Sequence, residues 1–227
     1  MRGYGHVEKI RIHFTLFSAF YALLISTMSG GFLEAEGAEV VVFKGGQPNA
    51  MFRCACHKAG IDSDKIRPIC PGGPAEIDQA FRHGQGQYVQ QQGPFPQQLQ
   101  AEGIGHIVAQ VGKQIGPCGF SSLAASRDWL KTDIARAFMR AYRKTRIYMN
   151  EAPATEIALA EKSHFPDIDA AVLADCIATY QQLGCWTPHV AITHAAYEKT
   201  LEIFEYVGML KQRYRYEQVC AAPPGTN

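Results

Sequence analysis

The chain has 227 residues, 47% hydrophobic and 19% charged, a globular composition that leaves room for a buried core in one domain or two small lobes. Lys and Arg number 22 against 21 Asp and Glu, a formal net charge of +1, so no basic field exists to hold a phosphate backbone and no nucleic-acid partner is expected. The seven cysteines, Cys54, Cys56, Cys70, Cys118, Cys176, Cys185 and Cys220, are odd in number and scattered, unlike the framework of a disulfide-stapled domain.

At the N-terminus Arg2, Lys9 and Arg11 precede a mostly apolar run from Phe14 to Met28, followed by Ser29, Gly30 and Gly31. Two readings are open. One is a signal peptide, although Thr15, Ser18, Ser26 and Thr27 dilute its apolar segment. The other, which the pattern favours, is a strand from Lys9 to Thr15 and a helix from about Ala19 to Ser29. The run is about 15 residues, shorter than the roughly 20 that a membrane span needs.

Next, Ala38 to Phe43 (AEVVVF) is a short β-branched run that suits a strand buried on both faces. The turn Lys44-Gly45-Gly46-Gln47-Pro48 follows, and a helix is expected from Asn49 to Gly60. Ile66 to Ile69 reads as a second strand, and Pro74 to His83 as a helix closing at Gly84. In the glutamine-rich QGQYVQQQGPFPQQLQ, Tyr88 and Val89 give a strand core, while Pro94 and Pro96 suit the start of a helix carrying Leu99. His106 to Val111 is expected to be a further strand, and GPCGFSSL a loop or short strand entering a helix.

From Trp129 the apolar period becomes helical: Ile134, Phe138, Ala141 and Tyr142, then Val172, Leu173, Cys176, Ile177 and Tyr180, then Tyr197, Leu201 and Phe204. Thr193 is a candidate N-cap, and Gly184 and Gly208 are candidate helix ends. Arg140, Arg143, Lys144 and Arg146 form the densest basic cluster and read as a solvated helix face.

Three segments, in register and in order, carry a resemblance: FYALLISTMSGGFLEAEG, AEIDQAFRHGQGQYVQQQGPFPQQLQAEGIG and SRDWLKTDIARAFMRAYRKT. Together they resemble the solute-binding proteins of ABC importers, in the branch that groups sulfonate-, nitrate- and thiamine-pyrimidine-precursor-binding components with thiamine pyrimidine synthases. The resemblance implies an α/β, periplasmic-binding-protein-like (type II) two-lobed sandwich with a helical C-terminal tail. It implies a small polar or aromatic solute, a permease partner, and a periplasmic or membrane-exterior location, with the cytoplasm left open. Residues 1–37 would be a remnant of the first lobe, 38–121 the second α/β lobe and 122–227 the helical tail. GFLEAEG passes straight into AEVVVFKGG where a full member carries further α/β units, so the first lobe is expected to be incomplete. The tail helices would then expose an apolar face through Tyr142, Leu173, Ile177, Tyr180 and Leu201 and self-associate.

By resemblance, ligand-binding positions are Ser18 and Tyr21 in the first loop, Lys44, Gly45, Gly46 and Gln47 in the glycine loop, and Gln92, Gly93, Cys118, Gly119, Phe120 and Ser121. The enzymatic branch consumes a His of its own and carries a Cys-Cys-Cys-Phe-Cys motif. Here Tyr21 stands at the His position, and Pro117, Cys118, Gly119 and Ser121 stand at the four cysteine positions. A binder, not an enzyme, is therefore expected; precursor synthesis and a truncated non-binding member are the alternatives. No CxxC, HExxH, GxSxG, Walker loop or GxGxxG is present. Cys54 and His57 have helical spacing but form only half a metal site, so neither metal nor cofactor is expected. Trp186, in GCWTPH, suits either stacking on a ligand or burial in a helix-connecting turn.

Overall fold

The computed structural model describes residues 37–225, which divide into two compact units. The expected N-terminal strand and helix, with Ser18 and Tyr21, lie outside the described residues.

Residues 37–44 and Cys56–Gln90 form the α/β unit. Strands β1 (Glu39–Val41), β2 (Arg67–Ile69) and β3 (Tyr88–Val89) make a parallel sheet in the order β2-β1-β3. Val41 pairs with Ile69 on one side and Val89 on the other. The β-branched run earns the central place because a middle strand has no solvent face: Val41 is 0% and Val42 2% exposed. Helix α2 (Pro74–Arg82) starts with proline at its first turn, where the missing N–H is not needed. It packs Ile77 and Ala80 on Val41, with Phe43, Ile69, Phe81 and Val89 around them. Burying Ile77 and Val41 contributes about 1.5–3 kcal/mol each. Asp78 is buried on the same helix and accepts from Arg82 Nε at 2.5 Å.

Residues 45–55 and 91–225 form the helical unit. Helix α1 (Gly46–Lys58) contributes residues 46–55. The unit continues with α3 (Phe95–Ala101), α4 (Val111–Ile115), α5 (Asp133–Glu151), α6 (Ala154–Glu161), α7 (Ala170–Gln182), α8 (His194–Tyr206) and α9 (Tyr216–Val219). One apolar cluster joins Ala50, Met51, Cys54 and Ala55 of α1 to Ile115 of α4 and Ile203 of α8. A second joins Ile157 and Ala158 of α6 to Leu173, Ala174 and Ile177 of α7, with Met149, Phe165 and Trp186 packed on it. Side-chain caps start three helices: Thr132 accepts from Ala135 N–H, Asp169 from Ala171 N–H and Thr193 from Ala196 N–H. Each such cap is worth about 1 kcal/mol. Gly184 and Gly208 follow the ends of α7 and α8, as the sequence predicts.

The structure corrects three expectations. Residues 106–110 form no strand: Ile107 N–H donates to the Gln100 side chain, and Val108 is 45% exposed. The stretch after Ser121 stays irregular as far as the 3-10 turn Trp129–Lys131, so GPCGFSSL enters no helix. The apolar stripe expected to stand open is largely covered. Leu173, Ile177 and Leu201 are buried, and Tyr142 and Tyr180 are half-buried, because α6, α7 and α8 bury their stripes within this unit. No helix among the described residues is long and apolar enough to cross a membrane.

Candidate functional site

The glycine turn leads into α1. Lys44, Gly45 and Gly46 are exposed and Gln47 is half-buried. Gly46 has φ +70°, a left-handed geometry that an L side chain resists, and helix begins there. The first turn of α1 carries no acidic residue, so the positive end of its macrodipole is not offset by a side chain of the turn.

The helical unit brings the second predicted segment to this turn. Gln47 Nε2 donates to the Gly119 carbonyl at 3.2 Å. Gly119 is held from its other side by α8: its N–H lies 2.9 Å from Thr200 Oγ1 and 3.2 Å from the Ala196 carbonyl. The Thr200 hydroxyl also lies 2.9 Å from Gly119 O and 2.8 Å from Ala196 O; with one proton, it donates to one at a time. Cys118 packs against the α1–α4–α8 cluster, whereas Phe120 and Ser121 are exposed. Gly46, Gln47, Cys118 and Gly119 are thus fixed as one corner, with Thr200 as its unforeseen clamp.

Gln92 and Gly93 are tied elsewhere. Gly93 N–H donates to the Tyr180 hydroxyl of α7 at 3.1 Å, and Gln92 N–H to the Gln91 side chain at 3.0 Å. A Cβ on Gly93 would stand 2.4 Å from Cys176 Sγ, 3.0 Å from the Tyr180 hydroxyl and 3.3 Å from Gln97 Oε1. Glycine is required here by close approach. Burial, helped by the neighbouring Asp175 carboxylate, pushes the Cys176 thiol up to about 12, which removes its nucleophilic form at neutral pH. Burial also raises the Tyr180 hydroxyl. Tyr180 meets Trp186 edge-on at 5.6 Å between centroids, so the indole packs inside the helical unit.

No signal in the sequence singles out Thr200, and Tyr180 reads there only as one member of an apolar stripe. Among the described residues no two cysteines are joined in a disulfide, and no three His, Cys, Asp or Glu side chains converge to hold a metal. A shallow groove beside α2, lined by Pro71, Glu76, Gln79 and His83, contains none of the expected ligand residues. The corner at α1 can offer backbone N–H groups and a dipole end to a polar or anionic group.

No family model matches the chain, and no solved structure matches it significantly. It is 30% identical over 179 residues, 78% of its length, to the Bacillus subtilis (strain 168) protein named "Putative binding protein YtlA". The match takes in 54% of that protein, so the chain spans about half the length of the curated relative it matches.

Proposed function

We propose that the chain is the solute-binding component of an ABC importer and takes up a small polar or aromatic organic solute of the sulfonate, nitrate or thiamine-pyrimidine-precursor class. The 30% identity to a protein named as a binding protein carries this reading. Two physical features support it. A parallel sheet in the order β2-β1-β3 is the arrangement in which ligands gather beyond the carboxyl ends of the strands. The chain leaving β1 then runs through Lys44 and two glycines into the first turn of α1, a site type suited to an anionic or strongly polar group. In this reading the fold is of the two-lobed, type II periplasmic-binding-protein kind, the permease is the partner, and the protein works at the membrane exterior.

The chain is a binder and not a catalyst in this proposal, with Gly45, Gly46 and Gln47 meeting the solute and Gly119 buttressing them. The test is a thermal-shift and calorimetric screen of pyrimidines, alkyl sulfonates, nitrate and amino acids. A true ligand at a hundred times its Kd stabilises by about 2.7 kcal/mol, a rise of about 5–11 °C for a chain of this size. No shift with any class at millimolar concentration refutes the reading. Product formation in the presence of iron replaces it with the enzymatic one.

A further inference from the structure

We propose that the outward face of α5 is the docking surface for an acidic amphipathic helix of a protein partner. The helix Asp133–Glu151 packs one side inward through Ala135 (0% exposed) and Met139 (9%). The adjoining side of the helix, about 100° round from them, carries Ile134, 71% exposed, and Phe138, 45% exposed. With exposed Ala137 and Ala141 beside them, these residues follow the i, i+4, i+7 spacing of a single row. Large apolar side chains standing in water at that spacing form a binding stripe rather than scattered exposure. The Phe138 ring is also held in place, edge-on to Trp129 and stacked with Tyr142, each at 6.1 Å between centroids. An anchor ordered before binding loses little entropy on docking.

The charges beside the row select the occupant. The helix has five basic residues and two acidic ones, the latter at its two ends. Among the described residues Arg136 is paired with Asp133, while exposed Arg140 and Lys144, which flank the row on one side, have no ion-pair partner. A second copy of this chain fits poorly. The Arg140–Lys144 cluster lies at the middle of α5, so any two-fold packing on this row sets that cluster against itself. A lipid surface fits less well than a helix. Two large side chains offer little area to bury in acyl chains, whereas the alanines permit close helix-to-helix approach. A partner helix with an apolar stripe and Glu or Asp on its flanks satisfies both the row and the cations.

The probe is a synthetic amphipathic helix of about five turns with leucines along one face and glutamates on both flanks. Its binding to the intact chain is followed by fluorescence anisotropy. The controls are a scrambled peptide, a version with lysine for glutamate, and phosphatidylcholine/phosphatidylserine vesicles. The glutamate peptide is expected to bind, and Phe138→Ser, an exposed site, to weaken it at least tenfold with unchanged circular dichroism. Arg140→Glu with Lys144→Glu should reverse the preference between the glutamate and lysine peptides. The proposal is overturned by equal binding of the scrambled peptide or by indifference to Phe138→Ser. It is equally overturned by vesicle binding through Phe138 without peptide binding, or by a dimer that Phe138→Ser dissociates.

Discussion

Replacing Gly93 by alanine tests a close approach of backbone to side chains in the helical unit. The new methyl would lie 2.4 Å from Cys176 Sγ, 3.0 Å from the Tyr180 hydroxyl and 3.3 Å from Gln97 Oε1. A carbon–sulfur contact relaxes at roughly 3.5–4 Å, so the sulfur or the loop must move by more than an ångström. Cys176 is 4% and Gln97 7% exposed, which leaves the sulfur no solvent to move into. Overpacking of this kind costs about 1–3 kcal/mol. Weakening the Gly93–Tyr180 hydrogen bond adds about 1 kcal/mol. A total near 3 kcal/mol corresponds to a fall in Tm of about 6–12 °C. Urea denaturation of Gly93→Ala, Cys176→Ala and the double variant measures it. Alone, Cys176→Ala should cost about 1 kcal/mol through the small cavity it leaves; in the Gly93→Ala background it should stabilise instead, because it removes the clashing atom. That reversal of sign is the coupling a double-mutant cycle isolates. Gly93→Ala within 0.5 kcal/mol of the parent, or additive costs in the double variant, would refute the reasoning.

Thr200→Val keeps the shape of α8 but removes the hydroxyl that clamps Gly119; a loss of about 1–2 kcal/mol in denaturant unfolding is expected, with faster hydrogen exchange at the Gly119 amide. Because the Cys176 pKa is raised by burial to about 12, the folded chain holds this proton while the unfolded chain releases it above pH 9. Stability should therefore fall as pH rises from about 9 towards 12, and Cys176→Ala should show a shallower decline over that window. Thiol labelling of the native chain at pH 8 should modify exposed Cys70 and spare buried Cys176, as peptide mapping would reveal. Lys44→Ala should weaken an anionic solute by roughly 1–3 kcal/mol if the lysine makes a charge-assisted bond; unchanged affinity in calorimetry would make Lys44 a surface residue only.

What was legible in the sequence is what short-range pattern controls. AEVVVF became a central strand because a β-branched run with no polar alternation has no solvent face to offer. Tyr88–Val89 and the helix after Gly93-Pro94 emerge from a glutamine-rich tract through the same local rules, as does the Thr193 cap. His106 to Val111 misled because an apolar stretch reads as a strand only if a sheet edge receives it, and Ile107 N–H bonds to Gln100 instead. Helix α6 went unmarked because its apolar residues have no clear one-sided period. At the candidate site, the glycine loop was visible, but its supports were not. Thr200 reaches Gly119 across 81 positions and Tyr180 reaches Gly93 across 87, distances over which periodicity carries no information. The expected open stripe failed because the helix that covers Leu173 and Ile177 is the unmarked α6.

The sheet has a consequence for how the chain is made. Among the described residues both strand pairs are parallel, so no hairpin links these three strands and each pairing must wait for a crossover to be completed. The bond from Arg67 to Gly37 closes 30 residues, and that from Glu39 to the Gln87 side chain closes 48. At synthesis rates of 5–20 residues per second, β1 waits roughly 2–10 s before β3 has left the ribosome. Both edges of β1 stay open until β2 emerges and one stays open until β3 follows, an invitation to intermolecular pairing. Non-local pairing of this kind is also slow to form once the chain is complete. Yield of soluble protein should thus depend on temperature and chaperone supply during synthesis more than on the stability of the finished fold.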